Sequence, residues 1–312
     1  MTRFAFSPLW ELIASVRVLK DPNADATHRP WLDWARTRVA RSDRDFGLLL
    51  DLVPVPTRVI PAFVAPPPHV TAPDFADELA AMRAVPTDDV RKNLDAMTET
   101  RSPRLTRLYE EPEQGLKLLA ELLTAYWDLV LAPLWPRVRM LCEADVMHRA
   151  RRLATGGAES LFNDLHPTVS WRADRLLVRQ LHARGTRRLT GRGLLLTPSV
   201  FVPRVFTLTA GDWQPTLRYP PRGIASLWHR PDAAAPKALA AVLGASRADL
   251  LSRLAAPAST SELALRTGLS PGGVSQHLTA LHAAGLVQRH RMGRFVLYVR
   301  TTTAERLLAG VG

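Results

Sequence analysis

The hydrophobic and polar positions between residues 270 and 287 form the clearest helical pattern in the chain. Val274, Leu278 and Leu281 are spaced by four and three residues, which places them along one side of an α-helix. Ser270 is of a residue type that caps helices, and the proline after it suits the first helical position. The opposite side predicts a surface of short, uncharged side chains that can donate and accept hydrogen bonds, namely Ser275, Gln276 and Thr279, with His277 at its edge.

A second helix is predicted immediately before this one. Ser259 and Glu262 have the spacing of a capping box, which indicates a helix that begins near residue 260 and ends at Thr267. Gly268 then allows a tight turn. Two helices joined by a short turn that contains glycine are the layout of a helix-turn-helix, whose second helix enters the major groove of DNA. We therefore predict that residues 271–284 form a recognition helix.

Two strands joined by a basic turn are predicted after the recognition helix. Residues 294–300 alternate between the two sides of a strand, and residues 286–291 supply its partner. Arginines crowd around the turn that joins them. A basic hairpin beside a recognition helix acts as a wing that contacts phosphates or the adjacent minor groove. Between residues 236 and 312 there are nine Lys or Arg against three Asp or Glu, so this region is positively charged.

The residues of this motif are predicted to have two roles. Ser275 and Gln276 are the best candidates for hydrogen bonds to base edges, whereas Arg291 and Arg294 would contact the DNA backbone. His277 would pack within the protein or bind a phosphate. The full set of predicted DNA-binding residues is Ser270, Gly272, Ser275, Gln276, His277, Thr279, Arg289, Arg291 and Arg294.

The C-terminal region resembles the winged helix-turn-helix of ArsR-type bacterial transcription regulators over roughly residues 236–310. The resemblance implies a domain that dimerises through its flanking helices, 236–243 and 302–308, and binds a palindromic operator. It also implies that a ligand relieves repression. The segments that carry it are Val274-Ser275, His277-Leu278, Ala284-Gly285-Leu286-Val287, Gly293-Arg294 and Tyr298.

Many members of that family sense metals, but this chain lacks the residues that they use. The resemblance places the metal-binding cysteines just after Glu262-Leu263, where this chain has Ala264 and Arg266. Neither side chain binds a soft metal. The second metal site of the family uses Asp and His on the last helix, and residues 301–312 contain neither. We therefore predict no metal site of the usual cysteine type and no cofactor.

The larger, N-terminal part of the chain is predicted to be mostly helical. The proline-rich stretch 54–73 cannot form one regular element. Short apolar segments between about 166 and 222 predict a small antiparallel sheet, with a hairpin about Ala173-Asp174. The predicted helices of this part are 8–19, 31–39, 46–53, 74–82, 87–97, 112–131 and 133–153.

These patterns predict a mainly α protein with small β elements, of the α+β class. Residues 1–228 would form a helical N-terminal domain with a small antiparallel sheet, 229–236 a linker, and 237–312 the winged helix-turn-helix. The segments 192–201 and 219–223 resemble a large, uncharacterised N-terminal domain of some actinobacterial ArsR-type regulators. That resemblance implies an architecture, and it implies no ligand.

The chain is strongly basic, with a net charge of +12 and a pI of about 10.9, which favours polyanionic partners. Residues 137–192 alone hold twelve Arg and five acidic residues. Two interpretations of this stretch stay open, a solvated basic surface and an auxiliary surface for the DNA backbone. No run of eighteen apolar residues and no signal peptide is found, and there is one cysteine, Cys142. We expect no membrane partner and a cytoplasmic location.

A catalytic site is not predicted from the sequence. Ser199 lacks the glycines of a nucleophile elbow. Asp164 with His166, or Asp145 with His148, could form an acid–base pair, but helix-surface and capping roles are commoner for such neighbours. We predict that the chain is not an enzyme.

The sequence thus predicts a cytoplasmic, homodimeric, sequence-specific transcription regulator, a repressor on an inverted-repeat operator. Its partners would be double-stranded DNA and a second copy of itself, with a small organic effector in the N-terminal domain as a further hypothesis. Two alternatives remain open: an enzyme, or a ligand-independent interaction domain, fused to the DNA-binding winged helix.

Overall fold

The computed structural model describes residues 2–24, 26–56, 59–98, 100–179, 185–189, 191–208, 213–228, 237–254, 258–292 and 295–309. The chain divides into two compact units, Met1–Arg222 and Gly223–Gly312. The predicted linker, 229–236, lies outside the described residues. The chain is mainly α-helical with small sheets, so the predicted fold class is confirmed.

Helices form most of the first unit. Ser7 accepts a hydrogen bond from the backbone N–H of Trp10 at 3.0 Å and so begins the first helix. The helices are α1 (Pro8–Lys20), α2 (Arg29–Ala40), α3 (Gly47–Asp51), α4 (Phe75–Arg83), α5 (Thr87–Met97), α6 (Pro103–Glu110), α7 (Pro112–Tyr126) and α8 (Trp135–Asn163).

A π-helical turn, Trp127–Leu131, continues α7, and a sharp bend separates it from α8. Among the described residues, no single helix is long and apolar enough to cross a membrane. Pro112–Leu131 and Trp135–Asn163 pass that test only as a pair, and they are bent by 83° at their break.

The strands of the first unit are β1 (Thr2–Phe4), β2 (Val169–Arg172), β3 (Arg175–Val178), β4 (Leu194–Pro198), β5 (Phe206–Leu208) and β6 (Thr216–Tyr219). They form a four-stranded sheet of order β1-β4-β6-β5 and a separate hairpin of β2 and β3. The hairpin is antiparallel, as predicted, whereas in the larger sheet β1 pairs with β4 and β4 with β6 in parallel. Parallel pairing needs a long crossover, and nearly the whole unit separates β1 from β4.

A buried carboxylate joins α1 to the segment after β4. Glu11 accepts hydrogen bonds from the hydroxyl of Ser199 at 3.0 Å and from the backbone N–H of Val200 at 2.6 Å. Burial raises the pKa of Glu11 to about 7, although these hydrogen bonds favour the charged form. Ser199 is therefore occupied by a structural contact.

An ion-pair network ties α8 to the end of the unit. Asp145 accepts from Arg149 at 3.4 Å, and Arg149 also donates to the carboxylate of Asp164 at 2.6 Å. His148 lies 3.0 Å from Asp164 and 2.9 Å from the guanidinium of Arg222. The structure therefore pairs His148 with Asp164, and neither acid–base pair suggested by neighbouring positions in the sequence is formed.

The second unit packs helices around one small core and places a three-stranded sheet of order β7-β9-β8 beside them. Its elements are α9 (Ile224–Leu227), α10 (Lys237–Leu243), α11 (Ala245–Arg253), β7 (Ala258–Ser259), α12 (Thr260–Thr267), α13 (Pro271–Ala283), β8 (Val287–Met292), β9 (Phe295–Arg300) and α14 (Thr302–Ala309).

Candidate nucleic-acid interface

Helix α13 is built to pack one side into the core of its unit. Its N-cap, Ser270, accepts a hydrogen bond from the backbone N–H of Gly273 at 3.1 Å. Val274, Leu278 and Leu281 are buried in the same cluster as residues of α11 and α12. Burial of these three side chains fixes which side of α13 faces outward.

The outward side of α13 is polar and uncharged. Ser275, Gln276 and Thr279 are exposed, and His277 is half-buried at the edge of this surface. The hydroxyl of Thr279 donates to the carbonyl of Ser275 at 2.9 Å, which leaves its methyl group and its lone pairs on the surface. No Lys, Arg, Asp or Glu occurs in Pro271–Ala283. A surface of this kind presents uncharged groups that can donate hydrogen bonds to base edges and accept hydrogen bonds from them.

Helix α12 precedes α13 across a turn of three residues. Ser259 accepts from the backbone N–H of Glu262 at 3.3 Å, so the predicted N-cap is formed. Gly268 has a φ of +71°, in the left-handed region that glycine adopts without strain, and this ends α12. Leu269 is partly buried against the core of the unit. The helix, the turn and the second helix therefore have the arrangement that the sequence predicts.

The two positions at which the resemblance to ArsR-type regulators implies metal-binding cysteines have other roles here. Ala264 is buried in the core of the unit, and the guanidinium of Arg266 forms an ion pair with Glu262 one turn earlier. Within the described part of the chain, no three His, Cys, Asp or Glu residues are grouped so as to hold a metal ion.

The two strands after α13 form the predicted hairpin. β8 and β9 pair antiparallel from Val287 opposite Arg300 to Met292 opposite Phe295. Arg289 lies in β8 and is exposed. Arg291 lies in the same strand, but its side chain is outside the described residues, as is the whole of Arg294. The structure therefore describes one of the three predicted wing arginines in full.

The predicted contact residues at the start of α13 are accessible. Ser270 and Gly272 are both exposed. A Cβ atom at Gly272 would meet no other atom within 4 Å, so glycine is not needed there for packing within the chain. Its absence of a side chain leaves room for another molecule to approach the backbone closely.

Two residues that sequence reasoning did not single out hold the hairpin and the helices together. The guanidinium of Arg300 donates to the carbonyls of Leu251 and Ser252 at the end of α11. Thr301 donates to the carbonyl of Gly285 at 2.8 Å and accepts from the N–H of Ala304 as a cap of α14. The threonine just before an amphipathic helix was a signal for the cap, whereas the Arg300 contacts depend on the tertiary fold.

The helices that flank the motif expose apolar side chains. Val242 of α10 is 82% exposed and Leu307 of α14 is 39% exposed, although their neighbours Leu239 and Ala304 are buried in the core. Leu265 of α12 is 88% exposed. Leu265 lies within the motif, whereas Val242 and Leu307 lie on the helices that flank it, where large apolar side chains are candidates for contacts with another molecule.

The first unit carries an open groove of about 500 Å³ along α4 and α7. Arg44, Arg83 and Lys117 supply positive charge to its lining, and Glu121 and Asp128 supply negative charge. The groove therefore suits a small polar molecule that bears both signs of charge better than an apolar one.

Comparison with known families gives two matches. Residues 69–224 match the model of a family of unknown function (DUF5937). Residues 249–289 match the model described as bacterial regulatory protein, arsR family, which takes in α12, the turn, α13 and the start of β8. No curated protein and no solved structure matches the chain.

Proposed function

Because the chain belongs to the DUF5937 family of unknown function and carries the helix-turn-helix of an ArsR-type DNA-binding regulator, we propose that it is a transcriptional repressor that recognises a specific DNA sequence as a homodimer. The observation that carries this proposal is the outward side of α13. This side belongs to the second helix of a helix-turn-helix, and it carries hydrogen-bonding side chains but no charged ones.

In the proposed complex, α13 lies in the major groove with its N-terminal half toward the bases. Gln276 has the amide that suits a bidentate contact with adenine, and Ser275 can bond to several bases. Ser270, Gly272 and Thr279 border this contact, and His277 binds a phosphate. These contacts supply the sequence preference.

The predicted wing arginines supply affinity without sequence preference. Arg289 is exposed on β8, and Arg291 and Arg294 follow in the sequence toward the turn. Arginine binds phosphate oxygens with two parallel hydrogen bonds, and each phosphate that is neutralised releases counterions. Binding is therefore expected to weaken steeply as salt is added.

A homodimer is supported by the exposed apolar side chains of the flanking helices. Val242 and Leu307 would be covered by their counterparts in a second copy. A two-fold axis between the copies would bring two α13 helices to successive major grooves, so the operator would be an inverted repeat with half-sites about 34–36 Å apart, or a multiple of that spacing. Since it acts on the chromosome, such a regulator would work in the cytoplasm.

A small organic effector is the part of the proposal that concerns the first unit. The groove lined by Arg83, Lys117 and Glu121 is the site that we assign to it, with a zwitterionic molecule as its ligand class. A ligand shifts regulation only if it binds one conformation better than another. A screen of amino acids and similar zwitterions, measured as a change in operator affinity, tests this point. If no zwitterion changes the affinity, the assignment of this groove to an effector fails, and a ligand-independent interaction domain is the alternative for the first unit.

We propose no catalytic role for the first unit. Ser199 donates to Glu11, and His148 is held between Asp164 and Arg222, so these candidate groups serve the fold. Cys142 is buried, and burial raises the pKa of its thiol, which disfavours the reactive thiolate.

The function is tested by selection of duplexes from a random-sequence pool with the full-length chain. The proposal predicts enrichment of one sequence arranged as an inverted repeat. No enrichment over the starting pool contradicts sequence-specific binding, and enrichment of a single half-site without its repeat contradicts the homodimer.

A further inference from the structure

The β2–β3 hairpin of the first unit has one side anchored in the protein. Val169 is buried, and the ring of Trp171 stacks on Phe162 of α8 with centroids 5.3 Å apart and an interplanar angle of 16°. Leu176 and Val178 of β3 pack against the same core cluster. Because side chains alternate along a strand, this anchoring turns the intervening residues outward.

Two arginines lie directly opposite each other on the outward side. Arg172 of β2 and Arg175 of β3 are paired in the register of the hairpin, and both are exposed. Within the described part of the chain, neither guanidinium has a carboxylate within ion-pair distance. Like charges in such a cross-strand pair destabilise a hairpin. The pair therefore costs the fold stability and gains no partner within the described residues.

The turn between them presents both side chains at a fixed place. Ala173 and Asp174 have φ values of +47° and +57°, as both central residues of a type I′ turn require. The usual residues of such a turn are Asn and Gly, and an alanine there is strained. Because the turn has only two residues, Arg172 and Arg175 are the paired strand positions nearest to the end of the hairpin.

The arginine pair lies in the most basic part of the first unit. From His166 to Arg192 the sequence holds seven arginines and one acidic residue, Asp174. Arg187 and Arg188 are exposed as well. Charge of one sign concentrated in this way attracts a polyanion.

The geometry points to a second DNA-binding surface: the arginine pair Arg172 and Arg175 binds backbone phosphates of the duplex outside the bases that α13 reads. This inference rests on the proposed function. It assigns the arginine pair to the DNA backbone, because guanidinium groups form bidentate hydrogen bonds with phosphate oxygens, and such contacts do not depend on the base sequence. Its effect is to add affinity over a longer stretch of DNA without adding sequence preference.

Double-stranded DNA fits this surface better than other polyanions do. Single-stranded nucleic acids are held by aromatic rings on which bases stack, and the one aromatic residue of the hairpin, Trp171, is stacked on Phe162. Insertion into a lipid surface needs several apolar side chains, and the outward side of the hairpin has only Leu177, which is 46% exposed. Guanidinium groups match the geometry of phosphate.

The test uses the full-length chain and the duplex that it selects from a random-sequence pool, either trimmed to the bases required for recognition or extended on both sides. The variant is Arg172→Gln with Arg175→Gln. On the extended duplex we expect an affinity loss on the order of tenfold, and a slope of log affinity against log salt that is lower by about two units per bound protomer. On the trimmed duplex the variant and the wild type should bind equally.

The matched control is Arg41→Gln with Arg107→Gln, which removes the same charge from exposed positions elsewhere on the unit. It should keep the wild-type slope. An equal loss in both variants would assign the effect to net charge and overturn the proposal, and so would an unchanged slope in the hairpin variant. Binding of the wild type to anionic vesicles that the hairpin variant loses, with DNA binding unchanged, would assign the pair to a lipid surface instead.

Thermal stability and the outcome of the DNA selection separate this proposal from a structural role of the pair and from failure of the proposed function. Removal of the like-charge pair should leave the thermal stability of the chain the same or higher, whereas a structural role predicts a loss. If the wild type selects no DNA sequence, the proposed function fails. If it does select one and the hairpin variant keeps full affinity on the extended duplex, only the hairpin proposal fails.

Discussion

The hydroxyl of Ser270 accepts a hydrogen bond from the backbone N–H of Gly273, 3.1 Å away, and this contact forms the first turn of α13. The turn carries the residues that we place nearest to DNA. Helix start and proposed DNA contact therefore depend on the same side chain, and the two roles can be separated by substitution.

Ser270→Ala should lower the free energy of unfolding of the chain by about 1 kcal/mol, because an N-cap is lost. It should also weaken operator binding. Ser270→Asp keeps a cap and favours the helix dipole, so it should retain stability, but its negative charge beside phosphates should still weaken binding. Denaturant unfolding and DNA titration measure the two effects. Full binding by Ser270→Asp would place Ser270 away from the DNA.

Arg289→Ala and Arg294→Ala should each weaken binding by a similar factor on operator and random DNA. Each should lower the slope of log affinity against log salt by about one unit, since each removes one phosphate contact. Titrations at several salt concentrations check this. A loss confined to the operator would mean that these arginines read bases.

The stability of the first unit should fall as the pH rises through 7. Burial raises the folded-state pKa of Glu11 from 4.5 to about 7, and it raises the folded-state pKa of Glu78 to about 7 as well. The stability contributed by each group is thus fully present below pH 4.5 and is lost as the pH rises through 7, by about 3 kcal/mol for each.

Glu11→Gln tests the source of this pH dependence. The variant should be less stable than the wild type at pH 5, because an amide cannot accept from all the donors around Glu11, but its stability should change less between pH 5 and pH 8. Tryptophan fluorescence during denaturant unfolding reports on the part of the chain before residue 229, which holds all eight tryptophans. An unchanged pH dependence would assign it to other groups.

Val242→Asp with Leu307→Asp should convert the chain from dimer to monomer, because each copy would place charges in an apolar contact. Operator affinity should fall as dimerisation is lost. Leu265→Asp is the matched control, since Leu265 is exposed to a similar extent as Val242 but lies on α12, outside the flanking helices. Sedimentation measures the oligomeric state. A wild type that is monomeric, or a double variant that still dimerises, would contradict the proposed interface.

The helix-turn-helix could be predicted closely because its signals are local. The caps at Ser259 and Ser270 and the glycine at Gly268 each act within one helical turn, and the structure forms all three. The hairpin at Ala173-Asp174 was predicted for the same reason. Helix α6 was missed, although Ser102 followed by Pro103 is a start signal of the same kind as Ser270-Pro271.

The features that could not be predicted from the sequence depend on contacts between distant parts of the chain. The pairing of β1 with β4 brings Phe4 beside Leu196, and no short-range pattern specifies it. His148 lies beside Asp164 because the helical path of α8 is broken at Gly156-Gly157, where the backbone dihedrals are not helical and the chain turns back toward Arg149. No pair of neighbouring positions in the sequence signalled this contact. The sequence signalled that residues 137–192 are basic, but the opposed arginine pair appears only once the register of the hairpin is known.

The most direct test of the central claim, that α13 reads bases, is the sequence preference of Gln276→Ala. In the random-pool selection, we expect this variant to lose preference at one position in each half-site and to keep its preference at the other positions. Its salt slope should equal that of the wild type, and discrimination at that position should fall by about 1–3 kcal/mol. A variant that weakens equally on operator and random DNA, or that keeps every preference of the wild type, would contradict the assignment of α13 as the recognition helix.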